Sequence, residues 1–162
     1  MTFTKNGWLP SFPNAEYIVS NKDWKLFSKL LNTEAFKYIK EQVSPLVELN
    51  ILNRFVNDIS LTNEVVTLPT PGHTPGHTSL LITSKNEKAI ITGDAIHIPI
   101  QTDHTDWSPT PDRDKSLSAK SREMLVNYIE KEHALIAAGH FEFPGFGKII
   151  KVHSKRTYIP IR

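Results

Sequence analysis

Apolar residues follow three different spacings along this chain, and the changes mark its organisation. Tyr17 and Val19 share one face of an alternating run, which predicts a short strand over 16–20. Leu26, Phe27, Leu30, Leu31 and Phe36 then recur at helical spacing, with Asn21 or Asp23 placed to cap a helix that begins at Trp24. A second helical piece is expected over 36–43, and Pro45 stops it. From Leu46 to Thr92 the texture shifts to β-branched and apolar runs broken by turn residues. Strands are predicted over 64–68, 79–83 and 88–92, the last two joined by a polar hairpin loop at 84–87.

Residues 97–111 form a loop dense in Pro, Thr and Asp, and long loops inside compact domains are often functional. Asp112 or Asp114 caps a helix that runs to about Glu132 and gathers Met124, Leu125, Tyr128 and Ile129 on one face. A small buried strand at 134–138 and a final strand at 148–158 close the chain. The opening stretch, 1–13, is rich in turn formers and shows neither period. Strands and helices alternate without repeats, so the class is α/β or α+β, with little sign of a domain boundary.

Composition narrows the field. A chain of 162 residues suits one domain, and +2 net charge is too balanced to make nucleic acid or an anionic membrane the main partner. The absence of cysteine removes disulfides, thiolate metal sites and cysteine nucleophiles together. No apolar run approaches the roughly 20 residues of a spanning helix, and the amino terminus lacks a basic-then-apolar signal. The expectation is a cytoplasmic protein that acts on a small molecule, with no nucleic acid and no membrane.

Chemistry concentrates at three places. Thr70-Pro71-Gly72-His73-Thr74-Pro75-Gly76-His77-Thr78 sets two histidines four apart between Pro-Gly pairs, directly after a strand. Those pairs forbid a regular helix and stiffen the backbone, so the histidines stand on a tight, directional loop. Thr92-Gly93-Asp94-Ala95 ends an apolar run in a carboxylate, and Ala137-Ala138-Gly139-His140 ends a small-residue strand in an imidazole. Either of these alone is as easily a plain turn. Together they repeat one plan of strand, sharp turn and potential ligand, which lines up His73, Asp94 and His140 at one sheet edge. Imidazole plus carboxylate suits Zn, Mn, Fe or Co, and a carboxylate can bridge two ions.

The segments TPGHTPGHTSL, ITGDAI and AAGHFEFPGFG resemble the metallo-β-lactamase superfamily in order, spacing and context. The region from His97 to Gly147 looks most like the branch of methyl parathion hydrolase and lactonase-like proteins. The resemblance implies an α+β fold, the αββα sandwich, and a centre of zinc or another divalent transition metal, with two ions in the whole fold. It implies His73 as a ligand of one metal, Asp94 as the bridging carboxylate and His140 as a ligand of the second. His77 would stand behind these ligands as a supporting residue. Metal-bound hydroxide would then attack an ester, a lactone or a phosphotriester. His97, Trp107, Phe141 and Phe143 would line the substrate pocket, although Phe141, Phe143 and Phe146 around Pro144 also suit ordinary core packing.

The family's signature His-x-His-x-Asp-His is nowhere in the sequence. His104-Thr105-Asp106 has the wrong partners and follows the bridging Asp instead of preceding the Pro-Gly-His segment. The expectation is therefore the carboxy-terminal portion, 1–162, of a single metallo-β-lactamase-like domain whose amino-terminal sheet lies upstream. An apolar sheet face left open this way invites self-association. The alternative to a hydrolase is a catalytically inactive fragment, or a subunit that needs a partner to complete its metal site. A nuclease or glyoxalase-like relative is a third reading. His104, His133 and His153 read as surface histidines, and Lys148, Lys151, Lys155 and Arg156 as a solvated, edge-protecting face.

Overall fold

The computed structural model describes residues 1–5 and 7–161, and the chain divides into two compact units, 1–57 and 58–162. The first unit opens with strands β1 (Thr2–Thr4) and β2 (Gly7–Leu9), an antiparallel pair where sequence periodicity predicts none. Three-residue strands are too short to show a period of two. Strand β3 (Tyr17–Ser20) pairs in parallel with β4 (Leu52–Phe55), and three short helices lie between them in sequence. Helix α1 (Asn21–Phe27) begins three residues earlier than expected, without a side-chain cap. Helix α2 (Lys37–Gln42) follows a 3-10 turn, and Pro45 opens α3 (Ser44–Glu48) rather than ending the helical segment. Proline lacks an amide that the first helical turn does not need, so it starts a helix as readily as it stops one.

The second unit holds the clearer architecture. Strands β5 (Val65–Pro69), β6 (Thr78–Ser84), β7 (Glu87–Ile91), β8 (Leu135–Ala137), β9 (Phe146–Val152) and β10 (Lys155–Pro160) form one sheet in the order β10-β9-β8-β7-β6-β5. All neighbours are antiparallel except β7 and β8, which are parallel. Parallel neighbours need a long crossover, and α4 (Lys115–Glu132) supplies it. The hairpins turn on Lys85-Asn86 and His153-Ser154, each pair with both φ positive, the geometry that matches strand twist. The final strand expected over 148–158 is thus two strands: neither His153 nor Ser154 is glycine, so the sequence does not announce the turn.

Helix α4 covers one face of the sheet. Its buried positions are Ser118, Ser121, Arg122, Leu125, Val126 and Ile129, spaced by three and four as one face of a helix demands. Met124, expected on that face, is instead 38% exposed, and Val126 takes its place. Leu125, Val126 and Ile129 pack with Ile90, Ile96, Ile136, Ala138 and Phe141 into the core. Asp114 caps the helix, accepting from the Leu117 amide at 2.9 Å, worth about 1 kcal/mol. On the opposite face of the sheet Ile91, Ile150, Val152 and Ile159 are each 40–43% exposed.

Two strand reversals carry β5, β7 and β8 in the same direction, so their carboxyl ends meet at one end of the sheet. The three motif segments begin there: 70–77 after β5, 92–96 after β7 and 138–140 after β8.

Candidate functional site

The Pro-Gly loop is held from below. Gly72 has φ +138°, and a Cβ there would lie 2.2 Å from the Ser118 backbone nitrogen. Only glycine lets the loop rest on the first turns of α4. The Asp114 amide donates to the Gly72 carbonyl at 3.0 Å and the Ser121 hydroxyl to the Pro71 carbonyl at 2.6 Å. His73 is presented from this seat with its ring only 17% exposed.

Asp94 sits on a tight turn after β7, where Gly93 has φ +54°. Its two carboxylate oxygens face two different imidazoles. Oδ2 lies 3.3 Å from Nε2 of His73, and Oδ1 lies 3.0 Å from Nε2 of His140. His97, three residues beyond Asp94, stacks on His140 with centroids 4.9 Å apart and planes 18° apart. It also approaches His73 to 5.4 Å. Asp94, His97 and His140 each offer a ligand atom within 4.8 Å of the others. Nδ1 of His97 is buried without a hydrogen-bond partner. Burial pushes the His97 pKa below its ordinary value, against the pull of Asp94 and with the repulsion of His140 and His73.

His77 points the other way along the loop. Its Nε2 accepts the Asp94 amide at 2.9 Å, so the neutral ring carries its proton on Nδ1. That proton is shared by the Thr70 hydroxyl at 2.8 Å and the Thr70 carbonyl at 3.1 Å. Thr70 then meets Ser79 at 2.9 Å, and the Ser79 hydroxyl donates to the Thr92 carbonyl at 3.0 Å. Thr70, Ser79 and Thr92 are all buried, so this chain of polar groups ties the ends of β5, β6 and β7 together where water does not compete.

Behind His73 stands a group that sequence reading took only for a helix cap. Asp112 has a fully buried side chain, and its Oδ1 lies 3.1 Å from Nδ1 of His73. Burial alone would raise its pKa. Hydrogen bonds from Ser118 and His73 and the charge of Arg122 outweigh that and hold the carboxyl below its usual range. Arg122 is itself fully buried and reaches Asp112 Oδ2 at 3.1 Å. The signal was present: the α4 stripe, followed back from Ile129, Val126 and Leu125, falls on Arg122, Ser121 and Ser118. A hydrophobic reading stops where that stripe turns polar.

The expected pocket residues separate. His97 joins the imidazole cluster. Trp107 is 53% exposed, stacks on His104 at 4.4 Å, and shares a cleft with His97, Ile98 and Gln101. Phe141 is a core residue, 7% exposed, with its ring edge-on to Tyr158 at 4.8 Å. Phe143 is 98% exposed. Both line the same shallow cleft beyond β8, but only Phe143 presents its ring to solvent.

The sequence and the fold both have counterparts among known proteins. The Metallo-beta-lactamase superfamily model matches residues 3–140. The N-acyl homoserine lactonase AiiA of Bacillus thuringiensis subsp. kurstaki is 30% identical over 139 residues, which are 85% of this chain and 52% of that protein. An N-acyl homoserine lactonase of a Bacillus species is 32% identical over 105 residues, 64% of this chain and 40% of its own length. The chain therefore spans about half the length of the curated relatives it matches. Among solved structures, the hydrolase AbOPH of the beta lactamase superfamily superposes with TM-score 0.79 at 26% identity, over 93% of this chain and 56% of that one. AidC, a dizinc quorum-quenching lactonase, superposes with TM-score 0.71 at 25% identity, over the same shares.

Proposed function

This chain belongs to the metallo-β-lactamase superfamily, and on that premise we propose that it is the metal-binding part of a lactone hydrolase, with His73, Asp94 and His140 as ligands of a divalent transition-metal centre. One observation carries the reading: the two oxygens of one carboxylate each face a different imidazole Nε2. Imidazole nitrogens and a carboxylate are the donors that zinc and similar divalent ions take, and here they lie 3.3 Å and 3.0 Å apart. A ring nitrogen of His97, within 4.8 Å of the ligand atoms of Asp94 and His140, adds another donor at the same place.

A divalent ion held by His73, Asp94 and His140 would supply Lewis acidity and acidify a water molecule toward neutral pH. The chain's own residues do the rest. Asp94 joins the two imidazoles and spreads its negative charge between them. His97, stacked on His140 beside the carboxylate, would offer a ring N–H for a hydrogen bond to a substrate oxygen. Ile98 and Trp107, both about half exposed, give the open side of the site apolar surface for an acyl chain. The relatives named as lactonases make N-acyl homoserine lactones the first substrates to assay, with aryl esters and phosphotriesters beside them.

The second reading is a chain that completes its site with donors from another polypeptide. The absence of His-x-His-x-Asp-His from the sequence favours it. One experiment separates the two. The purified chain is loaded with Zn²⁺ or Co²⁺, its metal content is measured, and lactone turnover is followed. Stoichiometric metal with turnover that Asp94→Asn abolishes supports the hydrolase. Metal binding without turnover supports the partner-dependent reading. No binding at micromolar metal would overturn both.

A further inference from the structure

The polar half of the α4 stripe converges on a single carboxylate, and stability alone does not explain why. A buried Arg–Asp pair loses so much hydration that apolar residues of the same size often stabilise a fold as well or better. Yet Arg122 is entirely enclosed, and each of its nitrogens is engaged. Nε donates to the Ala95 carbonyl at 2.8 Å. Nη1 donates to the carbonyls of Thr105 at 2.8 Å and Trp107 at 2.9 Å. Nη2 donates to Asp112 Oδ2 and to the Ser118 hydroxyl, both at 3.1 Å. One guanidinium thus joins both ends of the loop that carries His97 to the carboxylate behind His73.

The arrangement fixes a proton. A carboxylate faces each ring nitrogen, Asp112 Oδ1 at 3.1 Å from Nδ1 and Asp94 Oδ2 at 3.3 Å from Nε2. The nearer one, fully buried and held by Arg122, is the acceptor that claims the proton of the neutral ring for Nδ1. In the neutral ring Nε2 then carries a lone pair, 3.3 Å from Asp94 Oδ2. We propose that Asp112 is a positioning residue and Arg122 its anchor. Together they lock His73 into the Nδ1–H tautomer and aim its Nε2 at the site beside Asp94. The consequence for metal affinity rests on the proposed metal centre; the tautomer lock does not.

The experiment uses the full chain with ¹⁵N-labelled histidine. Without metal, two-bond ¹H–¹⁵N correlation at alkaline pH reads the His73 tautomer directly. Wild type is expected to show Nδ1–H, and a predominant Nε2–H form in wild type would overturn the proposal without any variant. Asp112→Ala is expected to shift His73 toward Nε2–H and to weaken Zn²⁺ or Co²⁺ binding by roughly 10–100-fold. Asp112→Asn keeps an acceptor facing Nδ1 and is expected to restore the tautomer. Val126→Ala, from the apolar part of the α4 stripe, controls for lost stability and is expected to leave the tautomer alone. An unchanged tautomer in Asp112→Ala, or an equal shift in Val126→Ala, refutes the lock. A tautomer that responds in a chain whose wild type binds neither metal upholds the lock and removes the metal reading instead.

Discussion

The amide of Asp94 donates to Nε2 of His77 at 2.9 Å, so the second histidine of the Pro-Gly-His repeat holds the carboxylate's backbone while the first faces its oxygens. Two residues four apart in one loop therefore meet the same aspartate, one at its backbone and the other at its carboxylate. His77→Ala leaves the Asp94 amide without its partner and takes one of two partners from the Thr70 hydroxyl. It should destabilise the fold by about 1–3 kcal/mol, measured by urea melts. Metal affinity should fall less than in Asp94→Asn; an equal loss would make His77 a ligand.

Gly72 allows no side chain. A methyl group there would meet the Ser118 backbone at 2.2 Å while φ stays at +138°. Backbone at the start of α4 cannot yield as a flexible side chain would. Gly72→Ala should cost more than about 2 kcal/mol, with strain and overpacking combined. Gly139, whose added Cβ would meet nothing within 4 Å, is the control: Gly139→Ala should change the melting midpoint little.

Acid weakens one specific clasp. Glu130 on α4 meets Lys151 on β9 at 2.5 Å and Arg156 on β10 at 3.0 Å. The Lys151 hydrogen bond, then those of Arg156, outweigh slight burial and hold its pKa below 4.5. A depressed carboxyl pKa contributes stability above the unfolded value, and that contribution disappears as pH falls through the folded value. Glu130→Gln should therefore be less stable than wild type at pH 7, by up to about 1 kcal/mol for so accessible a pair. The gap between the two should narrow steadily as pH falls below the ordinary carboxyl range in parallel thermal melts; a gap that stays constant through acid would show that charge is not the cause.

The two phenylalanines flanking Glu142 should respond in opposite ways. Phe141→Ala opens the core beside Tyr158 and should cost about 3–5 kcal/mol. Phe143→Ala changes only exposed surface and should shift the melt by less than about 0.5 kcal/mol. If apolar acyl chains lie against Phe143, KM for long-chain lactones rises in that variant while kcat holds.

What the sequence discloses here depends on chain proximity. Strands β5 to β7 and the capped helix α4 are visible because their periods are local, and their bounds fall within a residue or so of expectation. His73, Asp94 and His140 are legible because each follows its own strand across a sharp turn, so one motif describes both the candidate ligand and its mount. Asp112 and Arg122 are not legible in that way. Asp112 meets a histidine 39 residues earlier in the chain, and Arg122 serves carbonyls 15 to 27 residues away. Such roles exist only once the helix has docked. The β9–β10 turn escaped for the opposite reason: it is local, but His153 and Ser154 lack the glycine that usually betrays a positive φ.

Helix α4 joins the strands that carry Asp94 and His140, and its first turns touch the loops that carry His73 and His97. It works as a ruler laid across the site, with Ser118, Ser121 and Arg122 as its graduations. A helix advances 1.5 Å and turns about 100° per residue. A single residue inserted between Asp114 and Ser118 would therefore rotate all three marks off their loops at once. The same insertion after Glu132, where the chain leaves the helix, would leave every mark in place. Length is thus constrained far more tightly at one end of this helix than at the other, and changes in chain length that preserve the site belong at its carboxyl end.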